Sequence, residues 1–133
     1  MDCHTDVIFV LDESASVEWN NFRLMKRFVW ELVGRLDIDS SSTRVGIVAY
    51  SSDVGTTINL NNHSSLAGLR STISSLKYTS GNTNTAAALA YVRTVMLTSD
   101  AGDRSDVPNV VVILTDGESK DPPATQVSIK FTE

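Results

Sequence analysis

Two short apolar runs constrain this chain more than any other feature: "VIFVL" at residues 7–11 and "VVVIL" at 110–114. Runs of that length, unbroken by polar residues, suit strands buried on both faces. "RVGIVAY", Arg44 to Tyr50, reads the same way. The first and last of these runs also stop abruptly at oxygen-bearing side chains, "DESAS" after Leu11 and "TDGES" after Leu114.

Between the runs the period changes. From Ser16, the residues Trp19, Phe22, Met25, Val29, Leu32, Val33 and Leu36 recur at steps of three and four, which predicts a helix with one apolar face. Trp19 is expected in its core and Trp30 on a different, partly exposed face. "DIDSSST" is a polar loop, "SSDVG" turns the chain, and Thr57 to Leu60 reads as an edge strand. Ser64 or Ser65 is placed to cap a second helix whose apolar face is Leu66, Leu69, Ile73 and Leu76. A third helix is expected from Thr85 to Leu97, then a loop, "TSDAGDRSDVPN". Strands alternating with helices define an α/β class: a Rossmann-like open, mostly parallel sheet with helices on both faces. Ligands of such sheets sit beyond the carboxyl ends of the strands, where strand order reverses. Asp12 and Asp116 fall at two such ends.

A length of 133 residues suits one domain, 1–133. The net charge of −5, with eleven basic residues scattered along the chain, argues against nucleic acid as a partner. No stretch approaches the ~18 apolar residues of a membrane span. "MDCHTD" lacks the basic start and apolar core of a leader. Cys3 is the only cysteine, so no disulfide, redox pair or Cys-based metal site forms within one molecule. Two readings of it stand: a free thiol near a terminus, or half of a disulfide to a partner outside the chain.

The candidate site residues are Asp12, Ser14 and Ser16 in "DESAS", Thr83 in "GNTNT" and Asp116 in "TDGES". All five offer oxygen and none offers nitrogen or sulfur. Hard divalent cations prefer such donors, and Mg²⁺ typically takes only one or two carboxylates directly. Two carboxylates neutralise a divalent ion without reversing its sign, so a coordination position left open remains attractive to an outside acid. Each segment also has a plain structural reading: the serines and threonines as helix caps, Asp116-Gly117 as a turn. Their joint placement, after two buried strands and before a helix, favours the metal.

The stretches "DVIFVLDESASV", "RVGIVAYSS", "GNTNTAAAL" and "VPNVVVILTDGES" together resemble a von Willebrand factor A domain, the fold shared with integrin inserted domains. They cover most of residues 5 to 120 in the family's order. The likeness is strongest to the A domains of matrix proteins such as matrilins and non-fibrillar collagens. The resemblance implies that Asp12, Ser14, Ser16, Thr83 and Asp116 occupy the five positions of the metal-ion-dependent adhesion site. It implies Mg²⁺ foremost, with Mn²⁺ or Ca²⁺ as alternatives, and a partner's acidic side chain as the remaining ligand. It also implies an extracellular setting, with any signal peptide outside this chain. Ala15 and Ala86 stand where the family commonly has glycine, and neither change removes an oxygen.

The end of the chain departs from the family. After "TDGESKD" the family continues with further helices and strands, whereas this sequence has "PPATQVSIKFTE", an atypical tail over 121–133. The resemblance therefore implies a partial domain lacking the last strand–helix units, either a fragment or a truncated variant. "QVSIKF" alternates like a short strand. It either pairs beside 110–114 or leaves that strand an uncovered edge open to self-association. The family often pairs a cysteine at the place of Cys3 with one beyond the last helix, which this chain lacks.

The leading functional reading is an extracellular adhesion or matrix-interaction module that binds a matrix or cell-surface protein through a divalent cation. One rival is a structural matrix domain that self-associates or binds without metal, separated from the first by Asp12→Ala. A metal-assisted hydrolase is the other. Against it, there is no Gly-x-Ser-x-Gly elbow, no placed histidine base and no Walker-type loop, so no enzyme is expected. Asn62-His63-Ser64 is an N-glycosylation sequon, making Asn62 a candidate modification site. His4 and His63 are expected at the surface.

Overall fold

The computed structural model describes residues 4–15, 17–40, 42–82, 84–116 and 125–132, the last eight and Asp116 by backbone alone. Cys3, Ser16, Thr83 and 117–124 lie outside the described residues.

Among the described residues, five strands form one sheet: β1 (Thr5–Asp12), β2 (Thr43–Tyr50), β3 (Val54–Ile58), β4 (Asn109–Asp116) and β5 (Thr125–Thr132), in the order β3-β2-β1-β4-β5. β1 runs parallel to both β2 and β4, while β3 and β5 close the two edges antiparallel. The sheet is of the open, mixed Rossmann-like kind, with its three central strands parallel. Successive residues of a strand face opposite sides, and β1 is apolar on both. Val7, Phe9 and Leu11 join a core with Phe22, Met25, Val29 and Val33 of α1 (Glu18–Val33) and Leu69 and Ile73 of α2 (Leu66–Ser75). Ile8 and Val10 join a second core with Ala88 of α3 (Thr85–Tyr91), and with Val92 and Met96 beyond it. The unbroken apolar run at 7–11 thus reflects two cores meeting on one strand.

Ser65 caps α2, its hydroxyl accepting from the Gly68 N–H at 3.1 Å. α1 and α2 then cap each other. Lys26 donates to the carbonyls of Ser74 (3.1 Å) and Leu76 (2.6 Å) at the end of α2, and Arg70 Nε donates to Trp30 O at 3.0 Å. Neither helix carries a basic residue in its own last turn, so each takes from its neighbour a cation that complements its carboxyl end.

Four expectations need correcting. Trp19 is not in the core but 60% exposed. It sits in the first turn at the margin of the apolar stripe, where Phe22 fills the inward position and Arg23 lies 5.6 Å from the Trp19 ring centre. Helix α3 gives way after Tyr91 to a wider π turn over Val92–Met96, where Val92 and Met96 are both buried. The edge strand lies earlier than expected, at Val54–Ile58 rather than Thr57 to Leu60, and Leu60 is buried beyond its end. His63 is half-buried, its Nε2 hydrogen-bonded to the Thr72 hydroxyl at 2.9 Å. Asn62 is exposed.

The tail forms the strand that "QVSIKF" suggests. β5 pairs with β4 along its whole length, from Asp116↔Thr125 to Asn109↔Thr132. β4 is therefore paired on both sides and is not an uncovered edge; among the described residues the edge strands are β3 and β5.

A feature the sequence did not disclose sits at the amino end of β1. Asp6 is fully buried and accepts from the Arg104 backbone N–H (2.9 Å), its Nε (3.0 Å) and a terminal guanidinium nitrogen (2.7 Å). The same terminal nitrogen reaches the carbonyls of Thr5 and Ser42. This clamp ties the loop before β4 to the central strand.

Candidate metal site

The order of the central strands fixes where a site forms. The chain leaves β1 toward β2 on one side and later returns as β4 on the other, so strand order reverses between β1 and β4. A crevice opens at their carboxyl ends. Register places Leu11 opposite Leu114, so Asp12 and Asp116 are the terminal residues of adjacent strands.

Asp12 is 1% exposed. One carboxylate oxygen accepts the Ser14 N–H at 2.9 Å, folding "DES" into a tight local turn. The other accepts the Thr115 hydroxyl at 2.6 Å across the strand boundary. Each oxygen keeps a second lone pair. Ser14 is fully buried beside it. The loop is held from several directions: Glu13 N–H to Tyr50 O (2.8 Å), Ala15 N–H to Gly81 O (2.8 Å), and Tyr78 hydroxyl to Ser14 O (2.9 Å). Gly81 has φ +138°, a conformation that favours glycine, and a Cβ there would meet the Ser51 hydroxyl at 2.9 Å. That close approach is what brings its carbonyl to Ala15.

Glu13 occupies a position between ligands in the sequence reading, yet it is 2% exposed. Its Oε1 accepts the Thr79 hydroxyl at 2.5 Å, and Oε2 has no partner among the described residues. Burial pushes this carboxyl above its usual range; the Thr79 hydrogen bond opposes the shift, and the neighbouring Asp12 charge adds to it. Gly55 of β3 leaves the room, since a Cβ there would stand 2.8 Å from Glu13 Oε1.

The third segment docks onto the same end of the sheet. Asn84 N–H donates to Ser51 O and Asn82 N–H to the Ser52 hydroxyl, both at 2.9 Å. The residues on either side of Thr83 are thereby anchored at the carboxyl end of β2. Asn84 caps α3, accepting from Ala87 N–H at 3.1 Å, so the plain reading of Thr85 as its cap does not hold. Thr85 instead meets the Tyr50 hydroxyl at 2.9 Å. At α1 the N-cap is Val17, with no side-chain cap hydrogen bond.

Of the five candidate ligands, the structure brings Asp12 and Ser14 together and places the backbone of Asp116 on the adjoining strand. Ser16 and Thr83 lie outside the described residues. Sequence reading missed Thr115, Tyr78 and Thr79, which contact the first loop. Thr115 alone had a signal, because it precedes Asp116 on a strand expected beside β1. Among the described residues no three His, Cys, Asp or Glu side chains cluster as for a metal, so a cation here depends on hydroxyl oxygens as well. No described helix is long and apolar enough to cross a membrane.

A profile of the von Willebrand factor type A domain matches residues 6–131. Collagen alpha-4(VI) chain of Mus musculus is 36% identical over 118 residues, covering 87% of this chain and 5% of that protein. Matrilin-1 of Homo sapiens is 33% identical over 117 residues, covering 88% and 24% respectively. Among solved structures, proximal thread matrix protein 1 from the mussel byssus, with a zinc-occupied MIDAS motif (the metal-ion-dependent adhesion site), superposes with a TM-score of 0.75 at 29% identity. That match covers 87% of this chain and 29% of the mussel chain. The chain spans at most about a quarter of the length of these curated relatives and 29% of the mussel chain.

Proposed function

The chain belongs to the von Willebrand factor type A domain family, and from that premise we propose that it binds a protein partner in an extracellular matrix through a divalent cation. Asp12, Ser14, Ser16, Thr83 and Asp116 would hold the ion. The observation that carries the reading is Asp12: a buried carboxylate at the β1/β4 reversal, oriented by two neutral donors, with Ser14 buried beside it. This donor set fits a hard cation, Mg²⁺ first and Mn²⁺ or Ca²⁺ next. The zinc in the mussel protein's motif supports a metal at the corresponding place and leaves its identity to be measured.

When bound, the cation supplies an electrophilic position for an outside carboxylate. The chain's own residues do the rest. The bonds from Ser14 and Thr115 fix the Asp12 carboxylate, and the Tyr50, Tyr78 and Gly81 contacts hold the loop that bears it. The partner is a matrix or cell-surface protein presenting an acidic side chain, and the module is a binding domain, not an enzyme.

Isothermal titration with Mg²⁺ tests this. The native chain should give saturable heat with one site. Asp12→Asn, which keeps the side chain's shape, should give none while its circular dichroism is unchanged. Absence of heat from the native chain under Mg²⁺ and Mn²⁺ alike would remove the reading.

A further inference from the structure

The fold gathers cations that the sequence scatters. Arg23, Lys26, Arg27 and Trp30 of α1 line a cleft of about 280 Å³ whose opposite wall is α2 at Ile73 and Ser74. Arg70 reaches the same rim from α2, its guanidinium carbon 3.8 Å from the centre of the Trp30 ring. At the other end of the row, Arg23 lies over the exposed Trp19. Four of the chain's eleven Lys and Arg residues therefore border one cleft, on a chain whose net charge is −5.

The two inner cations are already ordered. Lys26 is held by the carbonyls of Ser74 and Leu76. Arg70 is held by Trp30 O and lies across Gly34, where a larger residue would meet its guanidinium. Carbonyl acceptors fix these groups without cancelling a full charge. Arg23 and Arg27 are exposed on the outer side. Among the described residues Arg27 has one ion pair, with Glu31 at 3.3 Å, and both side chains are mostly exposed, so an incoming anion displaces it at little cost.

We propose that this cleft binds a sulfated polysaccharide. Charge complementarity calls for an anion, and three features select its kind. Three of the four cations are arginines, whose planar forks take sulfate or carboxylate oxygens in pairs. Two partly exposed indoles, Trp19 and Trp30, stack against Arg23 and Arg70, and their exposed area offers apolar contact to sugar rings. Arg23, Lys26 and Arg27 stand at i, i+3 and i+4, about 5–6 Å apart, so successive anions along a polymer meet successive cations.

Titration of a heparin-derived octasaccharide at about 50 mM salt, with a chelator present, tests the proposal apart from the metal reading. The native chain should bind, and affinity should fall steeply as salt rises. Arg23→Ala with Arg27→Ala, both exposed positions, should weaken binding about tenfold or more, and Trp19→Ala about threefold. Arg93→Ala, exposed on the other side of the sheet, should leave it unchanged. Absence of binding, indifference to the double substitution, or an equal loss with Arg93→Ala would overturn the proposal. So would displacement of the octasaccharide by polyglutamate or a single-stranded oligonucleotide at equal charge.

Discussion

Replacing Arg104 with alanine isolates the clamp at the amino end of β1. Asp6 is fully buried, and the Arg104 side chain is only 18% exposed. Truncation removes the Nε bond at 3.0 Å and the terminal nitrogen at 2.7 Å, leaving Asp6, among the described residues, only the backbone N–H of residue 104. Were this a surface ion pair, the loss would be under about 1 kcal/mol. A buried carboxylate stripped of its cation costs about 3–5 kcal/mol, and the carbonyls of Thr5 and Ser42 lose a donor as well. Against a total stability of about 5–15 kcal/mol for a domain, that is a large share.

Urea unfolding followed by circular dichroism at neutral pH separates the two cases. Arg104→Ala should lower the unfolding free energy by about 3 kcal/mol or more. Arg104→Met combined with Asp6→Asn should lose much less, because it removes the buried charge together with its partner. Mg²⁺ affinity should be unchanged in the folded variant, since Asp6 and Asp12 are about 20 Å apart along β1 at ~3.3 Å per residue. A loss below about 1 kcal/mol for Arg104→Ala would refute the reasoning.

Gly81→Ala places a Cβ against Ser51 at φ +138° and should cost about 1–3 kcal/mol of stability and weaken Mg²⁺ binding, read by thermal unfolding and titration. Tyr78→Phe removes the hydroxyl that donates to Ser14 O and should cost about 1 kcal/mol in urea unfolding, again with weaker Mg²⁺ binding. Glu13 has a folded pKa above its unfolded value of 4.5, so what it contributes is fully present below that value and lost as pH rises through the folded pKa. With a chelator present, Glu13→Gln should therefore be more stable than the native chain at pH 7, and the gap should close as pH falls toward 4; equal unfolding curves at both pH values would contradict this.

Where one local rule decides, the sequence is legible. The uninterrupted runs at 7–11, 44–50 and 110–114 became β1, β2 and β4 because a strand between two cores has no polar face to show. A cap at Ser64 or Ser65 is legible because an acceptor just before an apolar-periodic stretch has few other uses, and the structure selects Ser65. Trp19 misleads because a position at the margin of a helical stripe satisfies the period without being inside it. Pairing between Asp6 and Arg104, 98 residues apart, has no local signature, and neither does the basic cleft, which needs Arg70 from another helix. At the candidate site, Asp12 and Ser14 were legible as oxygen donors after a buried strand. The supports from Tyr78, Thr79 and Gly81 were not, because they depend on how the loop after α2 lies against the one after β1.

β1 carries a buried aspartate near each end, and the two are treated differently. Asp6 receives a guanidinium, so its charge is met within the chain. Asp12, equally buried, receives a backbone N–H and a hydroxyl and no cation among the described residues. Its sequence neighbour Glu13 is a second buried acid with one oxygen unpartnered among the described residues. Burying a carboxylate without a counter-charge is costly unless something outside the chain supplies it. A fold that stabilised both aspartates alike would place a lysine or arginine at the carboxyl end of β1 as it does at the amino end. Instead it places neutral donors that orient the Asp12 oxygens and leave lone pairs available. An arrangement that fixes an acid without neutralising it is what a site for a divalent cation requires. It also makes that end of the sheet the one whose stability should rise with added metal, while the Arg104 end should not respond.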